Sequence, residues 1–345
     1  MGYNPPVIMV QKSDKPATLP GVFSTLAAGF ELTTRYLWLM VIPALLDFFL
    51  WIGPRLSFRP LIESLIAQLP AESLQLVPTA MLESLTGINF FAYLSVVFLG
   101  VPALMRGPTP AATPIQPAII ERAGIGEWAG YLALLTLAGL LLAAIYYGLI
   151  AYALRRMGAA AMNTTAPFNP LRFVRRVGRT WLRLAGLMGL FLLLSLIIFF
   201  PTSLLAGFLS LINQTIGALV IMGALVIMIW IIMFLSYTPQ GMTLNPRPFL
   251  PSLVESVQLF RRNLPASLGL LLVVTLARQL LATILLTADS GTWVTGINLL
   301  AHAYISTALI VALFIFYRDR YAAFLQTAPA TQVGPQPPAT QQEQP

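Results

Sequence analysis

Five arginines, Arg172, Arg175, Arg176, Arg179 and Arg183, stand between two long apolar runs. Their offsets of 0, 3, 4, 7 and 11 place them on one face of an α-helix. Leu171, Val174, Val177 and Trp181 fall on another face, Arg155 and Arg156 precede the stretch, and no acid occurs between Arg155 and Arg183. An acid-free basic amphipathic helix flanked by apolar runs is expected to lie on an anionic membrane surface. It also orients its neighbours, because the ends of spans that carry Lys and Arg face the cytoplasm.

Charged residues make up 9% of the 345 positions and hydrophobic ones 57%, with a mean hydropathy of +0.80. A soluble domain carries about 25% charged residues. The shortfall means that lipid solvates most of the chain, so residues 1–326 read as one polytopic membrane domain. The net charge of +8 is not a nucleic-acid signal, since no basic, aromatic-interleaved soluble module carries it. With no cysteine, thiolate metal sites, disulfides and thiol nucleophiles are excluded. Met1 to Pro20 has no short apolar run with a cleavage site, so the first span is expected to serve as its own insertion signal.

Seven apolar segments follow one another: Tyr36–Trp51, Phe90–Met105, Trp128–Leu154, Leu184–Leu209, Ile216–Leu235, Ser267–Leu286 and Val294–Tyr317. A span needs about 20 apolar residues. Five segments have them. Tyr36–Trp51 has them once its amphipathic lead-in is counted, and Phe90–Met105 is short and broken at Gly100-Val101-Pro102. The positive-inside rule sets the count. Lys12, Lys15 and Arg35, the region around Arg172, the loop with Arg247, Arg261 and Arg262, and the end with Arg318 and Arg320 all read as cytoplasmic. An even number of crossings then separates Arg35 from Arg155. Phe90–Met105 is the segment expected not to cross, as a re-entrant or interfacial element buried against protein. Arg55 and Arg59 count against this reading, since it places them outside. The competing arrangement has seven crossings and an external N-terminus.

The expected fold is therefore all-α: about six transmembrane helices, one short re-entrant segment and several amphipathic surface helices. The expected location is the plasma (inner) membrane, with both termini cytoplasmic. Residues 54–127 form an outer-face insertion. Within it, the runs Leu61–Leu69 and Leu74–Leu82 are expected to be interfacial helices and Gly107–Gln116 a loop. Residues 327–345, rich in Pro, Gln and Ala, read as a disordered cytoplasmic tail.

A unit recurs three times. A proline opens an amphipathic stretch, the stretch ends at an arginine, and a span follows: Pro20 to Arg35, Pro170 to Arg183, Pro248 to Arg262. This predicts a surface helix followed by a transmembrane hairpin, although amphipathic lead-ins are common to polytopic proteins in general. The third copy, Pro248-Phe-Leu-Pro-Ser-Leu-Val-Glu-Ser-Val-Gln-Leu-Phe-Arg-Arg-Asn-Leu, resembles a pattern in a bacterial multi-span membrane domain. That domain is found alone or fused to some glycerophosphodiester phosphodiesterases. The resemblance covers Ala160 to Tyr317. It implies six spans and no catalytic residue, because the hydrolytic activity belongs to a soluble domain absent from this sequence.

Catalytic chemistry is sparse. There is one histidine, His302, which rules out metal sites needing two. No Gly-x-Ser-x-Gly, Walker A or Gly-x-Gly-x-x-Gly sequence occurs. Glu121 and Glu127 read as solvated loop carboxylates. No cofactor is implied. Three ionisable residues fall inside spans: Asp47, Arg278 and His302. Rise per residue puts Asp47 and Arg278 each about 17 Å into their segments and His302 about 13 Å below Trp293. All three come near one level. Charges at that depth usually face the bundle interior. The expected site is an Asp47–Arg278 pair with His302 nearby, extended by Gln279 and Asn298. The plainer alternative is two separate side chains, with Arg278 snorkelling and Asp47 at the outer interface. Gly139/Ala143, Ala144/Gly148 and Ala185/Gly189 have small-xxx-small spacing for tight helix packing. Trp51, Trp128, Trp181, Trp293 and Tyr317 read as interface anchors.

These features favour a non-enzymatic membrane protein, a scaffold or accessory subunit in envelope organisation. A transporter or lipid-handling permease using a polar cavity at Asp47, Arg278 and His302 is the alternative, and a lipid-headgroup enzyme is the weakest reading. Anionic lipids are the expected partners, with other membrane proteins as a second class. A deep cavity at the three residues would favour transport, and a filled core the scaffold.

Overall fold

The computed structural model describes residues 19–68, 86–107, 110, 112–161, 168–245, 248–287 and 291–327. The chain is an all-α membrane protein. In chain order the elements are α1 (Val22–Arg35), α2 (Val41–Ile52), β1 (Arg55–Ser57), α3 (Arg59–Ile66), β2 (Ile119–Glu121), α4 (Ile125–Ala161), α5 (Pro170–Ser210), α6 (Gln214–Leu235), α7 (Thr238–Leu244), α8 (Phe249–Arg262), α9 (Leu264–Leu285) and α10 (Val294–Thr327). Among the described residues there are also three 3-10 turns, Leu37–Met40, Phe90–Leu94 and Leu104–Arg106. Among the described residues five helical stretches are long and apolar enough to cross a membrane, and α1 with α2 makes a sixth if that bent pair counts as one span.

α10 is the axis. Nearly three quarters of its apolar window is buried inside the protein, against about a tenth for α5 and less for α6. α1, α2, α4 and α9 pack around it, which explains why α10 carries so little amphipathic pattern: it is enclosed on most sides. α5 and α6 form a hairpin whose outer surfaces stay apolar and exposed, as lipid-facing helices must.

The first unit of the sequence repeat is not a surface helix here. α1 runs antiparallel along α10, from Pro20 beside Arg320 to Thr34, whose hydroxyl lies 2.7 Å from that of Tyr304. Gly29 makes this approach possible: a Cβ there would fall 2.5 Å from the Ala308 carbonyl oxygen and 2.9 Å from the Ala312 Cβ. The chain then turns by 95° before α2. Each half is too short to span alone, and burial against α10 stabilises both. The second unit differs as well. Arg183 ends nothing, because α5 is one helix of 41 residues, about 61 Å at 1.5 Å per residue. Asn169 caps its start by accepting from Arg172 N–H at 3.0 Å. No proline or cap lies near Arg183 to break it, and Gly178 and Gly186 are carried within the helix. Only the third unit keeps the expected form, with α8 ending at Arg262 and α9 restarting after Asn263.

The insertion at residues 54–127 carries a pair of three-residue parallel strands near its two ends. Arg55, Leu56 and Ser57 face Ile119, Ile120 and Glu121. This clip ties the end of α2 to the start of α4. α3 forms where an interfacial helix was expected. The run Leu74–Leu82 and the tail beyond Thr327 lie outside the described residues. Two expected interface anchors are core residues instead: Trp51 and Tyr317 are fully buried, and Trp51 meets Trp293 edge to face at 5.7 Å.

Candidate functional site

The segment 90–106 enters the bundle and returns without crossing it. At its start Phe90 lies against Trp128, near the beginning of α4. Leu94 reaches Gly139, where a Cβ would come within 2.5 Å of the Leu94 carbonyl oxygen. The Gly100 carbonyl accepts from the Tyr147 hydroxyl at 3.4 Å. Tyr147 is about 28 Å along α4 from Trp128, so the turn reaches deep. The segment then passes Asp47 at Met105 and leaves past Arg55, whose Nη2 donates to the Pro110 carbonyl at 3.1 Å. The turn itself is Val97-Phe98-Leu99, with Phe98 at a φ of 65°, and Gly100-Val101-Pro102 leads the chain out of it. Irregular backbone at membrane depth has to be satisfied by protein. Gly100 N–H donates to Val96 O at 2.7 Å, and the Ser95 hydroxyl to Val101 O at 2.7 Å. The small residues of α4 that the sequence marked for tight packing serve this segment and α5: Gly139 faces the re-entrant backbone and Gly148 faces Phe173 and Val177. Gly189 faces no neighbour within 4 Å.

Asp47, on α2, is wholly buried. Its Oδ1 accepts from Met105 N–H at 2.9 Å and its Oδ2 lies 3.0 Å from His302 Nδ1 on α10. The carboxylate therefore joins three pieces of chain: α2, the re-entrant segment and α10. It satisfies a backbone donor at the start of the last 3-10 turn, the role a side-chain cap plays for a helix. His302 is also buried.

The expected Asp47–Arg278 pair does not form. Among the described residues the side chain that meets the Asp47 carboxylate is His302. The reason is register. Asn298 Nδ2 donates to Leu285 O at 3.0 Å, which fixes α9 against α10. Arg278 then lies about 10 Å below Leu285, and His302 about 6 Å below Asn298. Arg278 sits half-buried, roughly a turn deeper than His302. It is within electrostatic reach of Tyr146, Tyr147 and Arg106. Tyr146 in turn donates to the Thr307 hydroxyl at 3.1 Å on α10. Of the predicted trio the structure joins two and leaves the third beside a second arginine. Gln279 is exposed and Asn298 is committed to the α9 carbonyl, so neither extends the Asp47 site.

Met105, Ser95, Tyr147 and Arg106 were missed by the sequence reading. The Gly-Val-Pro break was the available signal, because a turn at membrane depth needs a buried acceptor and Asp47 is the acid nearest that level. Among the described residues no three His, Asp or Glu side chains converge as metal ligands would.

The five arginines of α5 keep their shared face. Arg172, Arg175, Arg176 and Arg179 are exposed and Arg183 is half-buried, while Val177, Thr180 and Leu184 turn inward. They form a basic collar on a helix that continues directly into a span. Comparison with protein-family models, curated proteins and solved structures finds no match to this chain.

Proposed function

We propose that this chain is a non-enzymatic scaffold or accessory subunit of the plasma (inner) membrane of a bacterium, with both termini cytoplasmic. The observation that carries the reading is the closure of the intramembrane polar site. Asp47 and His302 are shielded from solvent, and both carboxylate oxygens are engaged by the protein itself. A carboxylate held this way pins a re-entrant segment. It is not presented to a substrate. The likeness of the third repeat unit to the membrane domain that accompanies some phosphodiesterases belongs with this reading, since that domain brings no catalytic residue. The basic collar at Arg172, Arg175, Arg176, Arg179 and Arg183 would hold anionic lipid headgroups at the cytoplasmic face.

One observation favours the alternative of a lipid-handling permease. Arg278 is half-buried inside a span with Arg106 nearby, and arginines at such depth often mark an anion path.

Cysteine accessibility separates the two, and the chain has no native cysteine to confuse it. Ser306→Cys, at a fully buried position of α10, should resist a membrane-impermeant maleimide from either side of sealed vesicles. Asn213→Cys, in the loop between α5 and α6, should react from one side. Labelling of Ser306→Cys from both sides in turn would establish an alternating water path and sink the scaffold reading.

A further inference from the structure

A cavity of about 180 Å³ lies at the end of the bundle where α8 gives way to α9 and where α10 leaves it. Its walls include Leu19, Leu259 and Phe324, and its polar groups are Arg262, Asn263 and Arg320. Arg320 is 4% exposed. One of its terminal nitrogens, Nη2, donates to Pro20 O at 3.0 Å, and the guanidinium stacks on Phe316 with 3.4 Å to the ring centre. Its Nε and Nη1 are buried without a hydrogen-bond partner among the described residues. Arg262 is exposed, its guanidinium 4.4 Å from the centre of the Phe324 ring. Asn263 donates to Leu259 O at 3.1 Å through Nδ2.

A buried guanidinium with unused N–H donors is costly unless an acceptor reaches it. The nearby carboxylates are engaged elsewhere. Asp319 is paired with Arg318 at 2.8 Å, and Glu255 accepts from Tyr317 at 3.4 Å. Two guanidinium groups on one small cavity match the charge and the several acceptor oxygens of a phosphate ester. Stacking fixes both guanidinium planes before a ligand arrives. The apolar walls at Leu19, Leu259 and Phe324 suit the glycerol and first methylenes of a lipid. We propose that this cavity binds the anionic phosphate of a phospholipid headgroup, with Arg320 as the buried anchor and Arg262 closing over it from the surface. The site is separate from the α5 collar and does not depend on the scaffold reading.

The test uses the full chain, delipidated in a neutral detergent and titrated by native mass spectrometry. The probes are phosphatidylglycerol, phosphatidylcholine and glycerol 3-phosphate. Phosphatidylglycerol should bind at least tenfold more tightly than phosphatidylcholine. Arg320→Gln and Arg262→Gln should each weaken the tightest phosphatidylglycerol adduct by fivefold or more. Arg261→Gln, an exposed neighbour outside the cavity, should leave it unchanged. Should Arg320→Gln not fold, the exposed Arg262 still decides the matter. Competition by glycerol 3-phosphate at concentrations equal to the lipid would support the phosphate site and assign its ligand to a soluble ester, overturning the lipid assignment. Equal binding of phosphatidylcholine, or equal losses in the Arg261 and Arg262 variants, would mean general surface charge and overturn the site.

Discussion

Asp47 Oδ2 lies 3.0 Å from His302 Nδ1, across 255 residues of sequence and wholly inside the bundle. The contact ties the first broken span to the central one. The other carboxylate oxygen holds Met105 N–H at 2.9 Å, so a single side chain fixes both the helix pair and the floor of the re-entrant segment.

A double-mutant cycle in detergent thermal denaturation measures this link. Breaking a buried pair by removing one partner costs about 3–5 kcal/mol, because the other is left unsatisfied. Asp47→Asn keeps the shape and one acceptor, so about 2 kcal/mol is expected, at the low end for a buried hydrogen bond to a charged group. His302→Gln should cost a similar amount. The double variant should fall short of the sum by about 1 kcal/mol or more. Asp47→Asn and Arg278→Gln should add, since they do not touch. Additivity of Asp47 with His302 and coupling of Asp47 with Arg278 would reverse the assignment.

Glycine substitutions probe the two closest backbone approaches. Gly139→Ala places a Cβ 2.5 Å from the Leu94 carbonyl oxygen, and Gly29→Ala one 2.5 Å from the Ala308 carbonyl oxygen. Each contact is to backbone, which cannot rotate away, and overpacking of this kind costs about 1–3 kcal/mol. Gly189→Ala and Gly223→Ala meet nothing within 4 Å and should be neutral or gain up to about 1 kcal/mol from helix propensity. Melting temperatures of the four variants in one detergent check the ordering. Equal shifts in all four would show that these approaches do not hold the bundle.

Much of the fold was legible because lipid solvation imposes a strong pattern. The five long spans fall where apolar length put them, and Phe90–Met105, set apart by its Gly-Val-Pro break, forms no helix long enough to span. The repeat was legible only in part. Periodicity places Leu, Val and Phe on one face of a stretch, but it cannot say whether that face meets lipid headgroups or another helix. α1 meets α10, through a glycine whose role depends on a partner some 280 residues away. Nor could rise per residue find the partner of Asp47. It estimates depth to within a turn, and His302 and Arg278 differ by about that much. The choice between them follows from the α9–α10 register, which an asparagine-to-carbonyl hydrogen bond sets and no sequence pattern announces.

Ser95 tests whether the re-entrant turn is held locally. Its buried hydroxyl donates to Val101 O at 2.7 Å and bridges the two sides of the turn at Val97–Leu99. Ser95→Ala leaves that carbonyl without its donor, at a cost of about 1–3 kcal/mol. The loss should be confined to this element. Hydrogen exchange should rise across residues 94–106 while α4 and α10 stay protected. Uniform loss of protection would mean that the turn and the bundle open together.

The collar on α5 makes the last prediction. Its five arginines continue without a break into a span, so the charge is rigidly coupled to the orientation of the α5–α6 hairpin. About 1 kcal/mol per residue near an anionic surface, acting on five residues, is enough to bias that hairpin strongly. Reporter fusions after Asn213 and after Gln326 should report opposite sides of the membrane, with the Gln326 fusion cytoplasmic. Neutralising Arg172, Arg175, Arg176 and Arg179 together should raise the fraction of chains whose Asn213 reporter is cytoplasmic. The same four changes should leave the thermal stability of correctly inserted protein within about 1 kcal/mol, since these side chains are exposed. An unchanged reporter ratio would mean that the basic residues at Arg261 and Arg318 set the topology alone, and that the collar serves lipid binding without orienting the chain.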